Sequence, residues 1–129
     1  MEKLKDKLNI LLVEDNILNQ KLIFLYLTKV GFDIDVANNG LEAFEKIKVH
    51  TYDMVLMDLM MPVMDGLEAT VKIREYESFN SKYTKIVGLT ANTFDADREK
   101  CLAYGMDEYM AKPFDLDEFN RILKKLEII

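Results

Sequence analysis

The stretch DMVLMDLMMPVMDG, Asp53 to Gly66, sets one carboxylate, Asp58, in the middle of apolar residues. Met54, Val55, Leu56 and Met57 precede it, and Leu59, Met60, Met61, Pro62, Val63 and Met64 follow. Burying an unpaired carboxylate is expensive, so a bare acid at this place needs a physical reason. The run before it has the length and continuity of a strand covered on both faces.

The same kind of run recurs along the chain. Strand candidates are Ile10–Val13, Ile34–Val36, Met54–Met57, Ile86–Leu89 and a weaker one at Glu108–Met110. Helix-like segments with legible ends lie between them. Asn16 caps a helix expected to run through Lys29 and stop at Gly31, and Asn39 followed by Glu42 opens another. Asp65 with Glu68, and Asp115 with Glu118, have capping-box spacing with Asp in place of Ser or Thr. Gly105 sits where a helix around Arg98–Tyr104 should end, and the last helix runs to about Leu126. This alternation implies an α/β chain with a parallel sheet and helices on both sides.

Composition narrows the function. The 129 residues suit one domain, read as residues 1–129 with no internal boundary, repeat or linker. There are 17 Lys+Arg against 23 Asp+Glu, a net charge of −6, which argues against nucleic acid as the main partner. Cys101 is the single cysteine and fits a reducing compartment. No apolar run approaches a membrane span, and the start MEKLKDKLN lacks a signal-peptide core, so a cytoplasmic location without membrane contact is expected.

In parallel sheets of this kind the binding crevice lies outside the carboxyl ends of the strands. Those ends carry Glu14-Asp15, Asp58, Thr90 and Lys112-Pro113. Three acids brought together raise one another's pKa unless a cation neutralises them. Hard oxygen ligands in this number suit Mg²⁺. A carboxylate beside that ion and a lysine can act as a nucleophile toward phosphorus. Lys112 would offset charge on phosphoryl oxygens, and Thr90 could donate a hydrogen bond to one.

The segments LLVEDN, MDLMMPVMDG, GLTAN and YMAKPF resemble, in order and spacing, the signatures of response-regulator receiver domains of two-component systems. The resemblance covers about Leu8 to Leu126. It implies a doubly wound, flavodoxin-like fold of five parallel strands in the order 2-1-3-4-5 with five helices. It implies that Asp58 accepts a phosphoryl group from a sensor histidine kinase or a histidine phosphotransfer domain. Glu14, Asp15, Asp58 and the backbone carbonyl of Met60 would hold Mg²⁺, Glu14 through water. Thr90 and Tyr109 resemble the switch pair, Lys112 the phosphate-contacting lysine, and the Lys112–Pro113 bond would be cis. VEDNILNQ and DREKCLAYGMDEYMAKP are most similar to receiver modules of hybrid sensor histidine kinases. No output domain is expected after the last helix, whether the module stands alone or is excised from a longer kinase.

By the family's geometry, Met60 and Asn92 would cover the face from which water attacks, and neither can act as a general base. Slow self-dephosphorylation is therefore expected, with no other enzymatic turnover. Phosphorylation would change the face formed by the fourth helix, fifth strand and fifth helix, through which a partner or second copy would dock. Three rival readings fit less well. A haloacid-dehalogenase-type phosphatase needs a second Asp two residues after the nucleophile, where this chain has Met60. An unphosphorylated pseudo-receiver would be expected to lack an acid or the lysine. A flavodoxin-like cofactor binder needs a phosphate-cradling loop, whereas VEDNILNQ is acidic and has no Gly. His50 reads as a surface residue, and Cys101 and the methionines around Asp58 read as packing.

Overall fold

Asp58 is the last residue of β3 (Met54–Asp58), a strand with every residue buried. The computed structural model describes residues 8–91 and 95–128. Around β3 lie β1 (Asn9–Val13), α1 (Ile17–Lys29), β2 (Asp33–Ala37), α2 (Gly40–Val49), α3 (Gly66–Asn80), β4 (Lys85–Thr90), α4 (Asp95–Ala103), β5 (Glu108–Ala111) and α5 (Leu116–Lys125). The strands form one parallel sheet in the order β2-β1-β3-β4-β5.

Alternate residues of a strand face opposite sides of the sheet, so strands that are apolar throughout feed two cores. Leu11, Val13, Val55, Met57 and Ile86 pack with Ala43, Ile47, Ala69, Ile73 and Cys101 on the side of α2, α3 and α4. Ile10, Leu12, Met54, Leu56, Val87 and Leu89 pack with Ile23, Leu27, Phe119, Ile122 and Leu123 on the side of α1 and α5. Continuous apolar runs in β1, β3 and β4 are thus a direct record of double coverage.

The helix ends follow the sequence with one exception. Asn16, Asn39 and Asp65 each accept a bond from the amide three residues on, at Asn19, Glu42 and Glu68. Asp115 occupies the corresponding place before α5, yet its side chain makes no capping bond. Spacing sets where that helix begins but not the rotamer of an exposed acid. Gly31 and Gly105 both take φ +108°, which an L side chain rarely adopts, and turn the chain from helix toward strand. At Gly105 the bonds Gly105 N–Leu102 O and Met106 N–Cys101 O close the end of α4.

The amino-terminal edge of the sheet is tied by one guanidinium. Arg74 of α3 donates to the Gly105 carbonyl (2.8 Å), the Thr84 carbonyl (2.8 Å), Glu77 (2.7 Å) and Asp107 (2.9 Å). The group also lies 4.1 Å from the Tyr83 ring centre, and Asp107 accepts from the Ile86 amide as well. Removing one partner from a buried network like this costs about 3–5 kcal/mol.

At the other edge, α3 begins directly beneath Asp58. The Gly66 amide donates to the Leu59 carbonyl at 3.0 Å, and a Cβ at Gly66 would collide with the Asp58 carbonyl oxygen. Because that neighbour is backbone, it cannot swing aside. Gly66→Ala should lower stability by about 1–3 kcal/mol through overpacking. A urea midpoint equal to wild type would show that α3 can shift without cost.

Candidate functional site

The carboxyl ends of β1 and β3 bring Glu14, Asp15 and Asp58 together, each with a carboxylate oxygen within 4.8 Å of the others. Glu14 and Asp58 are almost fully buried, at 1% and 3% exposure, and Asp15 is exposed. Lys112, just beyond β5, reaches across the end of β4 to place its Nζ 2.9 Å from Asp58 Oδ2 and 3.7 Å from Glu14 Oε1. The other Asp58 oxygen, Oδ1, accepts from the Met60 amide at 3.2 Å.

Backbone bonds fix these groups. The Glu14 amide donates to the Ala37 carbonyl and the Leu59 amide to the Leu89 carbonyl. The Lys112 amide donates to the Thr90 carbonyl at 2.7 Å, which joins the ends of β4 and β5. Thr90 is buried there, in register with Ala111, and the Lys112–Pro113 bond is cis as expected. Tyr109 is half-buried on β5, in register with Gly88, and packs against the α2–α3–α4 core. Its amide donates to Glu108, whose buried carboxylate also receives Lys125 of α5 (2.6 Å) and Arg98 of α4 (3.4 Å). Burial opposes that charge, but the Lys125 bond and the other donors hold the Glu108 carboxyl below the ordinary range. Asn92 lies outside the described residues. The Met60 side chain stands 81% exposed beside Asp58. His50 is exposed at the end of α2, on the opposite edge of the sheet, and Cys101 is fully buried.

Electrostatics and the chemistry of its donors suit the cluster to a cation. Burial, reinforced by the charge of Asp58, pushes the Glu14 carboxyl up to about 7. Burial opposes the Lys112 ammonium, but the hydrogen bond and charge of Asp58 overcome it and hold the group above its ordinary value. Glu14 Oε2 accepts from the Asn16 amide, while Oε1 is buried without a hydrogen-bond partner. An orphaned buried carboxylate oxygen beside two more acids fits a hard divalent cation such as Mg²⁺, with Glu14, Asp15 and Asp58 as the available donors.

A feature the sequence did not disclose stands behind the acidic turn. Gln20 Nε2 of α1 donates to the Glu14 carbonyl at 2.9 Å and to Asn38 Oδ1 at 3.0 Å. The only sequence signal is its place one turn after Asn16 in ILNQKLIFLYL, where Asn19 and Lys21 beside it are polar as well. That helix leaves Ile17, Leu18, Leu22, Leu25 and Tyr26 exposed. An open groove of about 410 Å³ between α1 and residues 112–114 joins Glu14 and Lys112 to Leu22, Tyr26 and Phe114.

Residues 10–124 match the response regulator receiver domain. Hybrid signal transduction histidine kinase K of Dictyostelium discoideum is 37% identical over 126 residues, covering 93% of this chain and 10% of that kinase. Kinase B of the same organism is 46% identical over 81% of this chain and 6% of its own length. The chain therefore spans a small part of these relatives. Among solved structures, the receiver domain of sensor histidine kinase PA1611 from Pseudomonas aeruginosa PAO1, with magnesium coordinated in its active-site cleft, is similar. It is 42% identical, with a TM-score of 0.82 over 92% of this chain and 96% of that one. The receiver domain of the Saccharomyces cerevisiae response regulator Ssk1, crystallised with the histidine phosphotransfer protein Ypd1, superposes with a TM-score of 0.85. That match is 33% identical and covers 92% of this chain and 87% of the other.

The Glu14 shift has a direct consequence for stability without metal. The folded state keeps a proton on Glu14 between about pH 4.5 and about pH 7, where the unfolded chain has released it. Stability then falls as pH rises through that window, because the native state binds more protons. Glu14→Gln should flatten this limb. Urea denaturation in chelator from pH 5 to pH 8 measures it, and an equal slope in both proteins would exclude Glu14 as its source.

Proposed function

This chain belongs to the response regulator receiver domain family, a family of signalling modules of two-component phosphorelays, and on that premise we propose that Asp58 is its phosphoacceptor. The observation that carries this reading is the buried Asp58 carboxylate, 2.9 Å from Lys112 and within 4.8 Å of two further acids. An Asp58 carboxylate oxygen forms the new bond to phosphorus as the phosphorus–nitrogen bond of a donor phosphohistidine breaks. The donor imidazole keeps the electron pair. Lys112 neutralises charge on the transferring oxygens, and the Thr90 hydroxyl accepts the role of a hydrogen-bond donor to the product. Glu14 (through water), Asp15, Asp58 and the Met60 carbonyl would hold magnesium, which would supply further charge neutralisation and alignment.

The donor is a histidine phosphotransfer domain or a sensor histidine kinase. The exposed apolar face of α1 beside the site supports that docking, since contiguous exposed apolar residues mark interaction surfaces. Phosphorylation, adding a charge of roughly −1.5 to −2, biases Thr90 and Tyr109 toward a second arrangement. The surface of α4, β5 and α5 changes with them and receives a partner or a second copy of the chain. The reading takes residues 1–129 as one cytoplasmic receiver domain; among the described residues no helix is long and apolar enough to cross a membrane.

Three outcomes test the proposal. Acetyl phosphate with Mg²⁺ should add one phosphoryl group, read by intact mass, and chelator or Asp58→Asn should abolish it; wild-type labelling of Asp58→Asn would remove Asp58 from its role. Leu18→Asp, on the exposed face of α1, should slow transfer from a phosphorylated histidine phosphotransfer domain at least tenfold and leave acetyl phosphate labelling unchanged. Equal slowing with both donors would place the effect in the site rather than in docking. Met60 and Asn92 should set the phosphoryl lifetime, so Met60→Asn with Asn92→Glu should shorten it. Decay at fixed Mg²⁺ after donor removal measures this, and equal decay would show that neither position governs the attacking water.

A further inference from the structure

We propose that Gln20 is a positioning residue for the cation site, acting through the Glu14 carbonyl. The inference rests on the reading of Glu14, Asp15 and Asp58 as magnesium ligands. Its basis is a chain of amides whose orientation chemistry fixes from both ends. Glu42, in the first turn of α2, accepts from the Asn38 amide nitrogen (3.1 Å) and, with both carboxylate oxygens, from Asn38 Nδ2 (3.3 Å each). An ionised carboxylate only accepts, so the Asn38 side chain must turn its NH₂ to Glu42 and its oxygen away. That oxygen meets Gln20, which must present its NH₂. The second proton of the same NH₂ goes to the Glu14 carbonyl, another group that only accepts. Neither amide can flip without setting two acceptors or two donors face to face.

The chain ends on the peptide bond between two ligands. The Glu14 carbonyl belongs to the unit that joins Glu14 to Asp15, so its direction sets the path by which Asp15 enters the cluster. The Glu14 amide is held separately, by the Ala37 carbonyl next to Asn38. The end of β2 and the residue after it therefore hold the acidic turn twice, once through the Ala37 backbone and once through Asn38 and Gln20. Exposed Asp15 has no such support from burial. Its placement depends on the turn that carries it, and the supporting partners of ligands commonly govern affinity by about 10–100-fold.

Gln20→Met keeps length and helix propensity but removes both donors. The experiment is a Mg²⁺ titration of the full chain at 25 °C, followed by amide chemical shifts, with the metal-free melting temperature measured alongside. The Mg²⁺ dissociation constant is expected to rise about tenfold. Acetyl phosphate labelling should be slow at low Mg²⁺ and return to the wild-type rate at saturation. A merely structural role would lower the metal-free melting temperature and leave the dissociation constant, measured far below melting, where it was. A constant within threefold of wild type overturns the assignment. Should Gln20→Met fail to fold, Asn38→Ala, which leaves Gln20 without its second acceptor, decides by the same threefold criterion. Wild-type protein that binds no Mg²⁺ would overturn the cation site itself, whereas tight wild-type binding with an unmoved variant overturns only Gln20.

Discussion

The constraint on which the rest depends is the confinement of like charges. Carboxylate oxygens of Glu14, Asp15 and Asp58 lie within 4.8 Å of one another, and two of these acids are nearly removed from water. Two unit charges about 4 Å apart repel by about 4 kcal/mol at the effective dielectric of a protein surface. Lys112 offsets one charge of the three. Burial together with the charge of Asp58 pushes the Glu14 carboxyl up to about 7, so a proton there removes one more charge, and a cation would offset the rest. A divalent ion bound at the cluster would compete with the proton on Glu14.

Holding such a cluster needs a frame that will not relax. The strands β1, β3 and β4 are covered on both faces, and close-packed interiors yield little. Gly66 lets α3 begin against the Asp58 carbonyl, and at the far edge Arg74 joins α3 to the Thr84, Gly105 and Asp107 positions. Repulsion at the carboxyl edge is therefore met by packing and hydrogen bonds distributed through the whole sheet.

The strands, the helix starts at Asn16, Asn39 and Asp65, and the stops at Gly31 and Gly105 were legible because each is a local signal. Asp58 was legible because a charge in an apolar run is conspicuous. Glu14, Asp15, Thr90 and Lys112 followed from the rule that parallel sheets bind at their carboxyl ends. What stayed hidden were the polar contacts between distant residues outside the strand-end cluster. Gln20 and Asn38 are 18 apart, and Arg74 and Asp107 are 33 apart; no periodicity marks such pairs. The uncapped Asp115 shows the converse, a local signal satisfied in spacing but not in contact.

The strand order also acts as a ruler. Asp58 ends β3 and Lys112 follows β5, with β4 between them. Neighbouring strands lie about 4.8 Å apart, so the gap is about two spacings. Only a long, unbranched side chain with its charge at the tip can cross one strand and still meet a carboxylate at 2.9 Å. The width of β4 thus selects lysine over any shorter donor, and the selection is made by sheet geometry before any chemistry at phosphorus is considered.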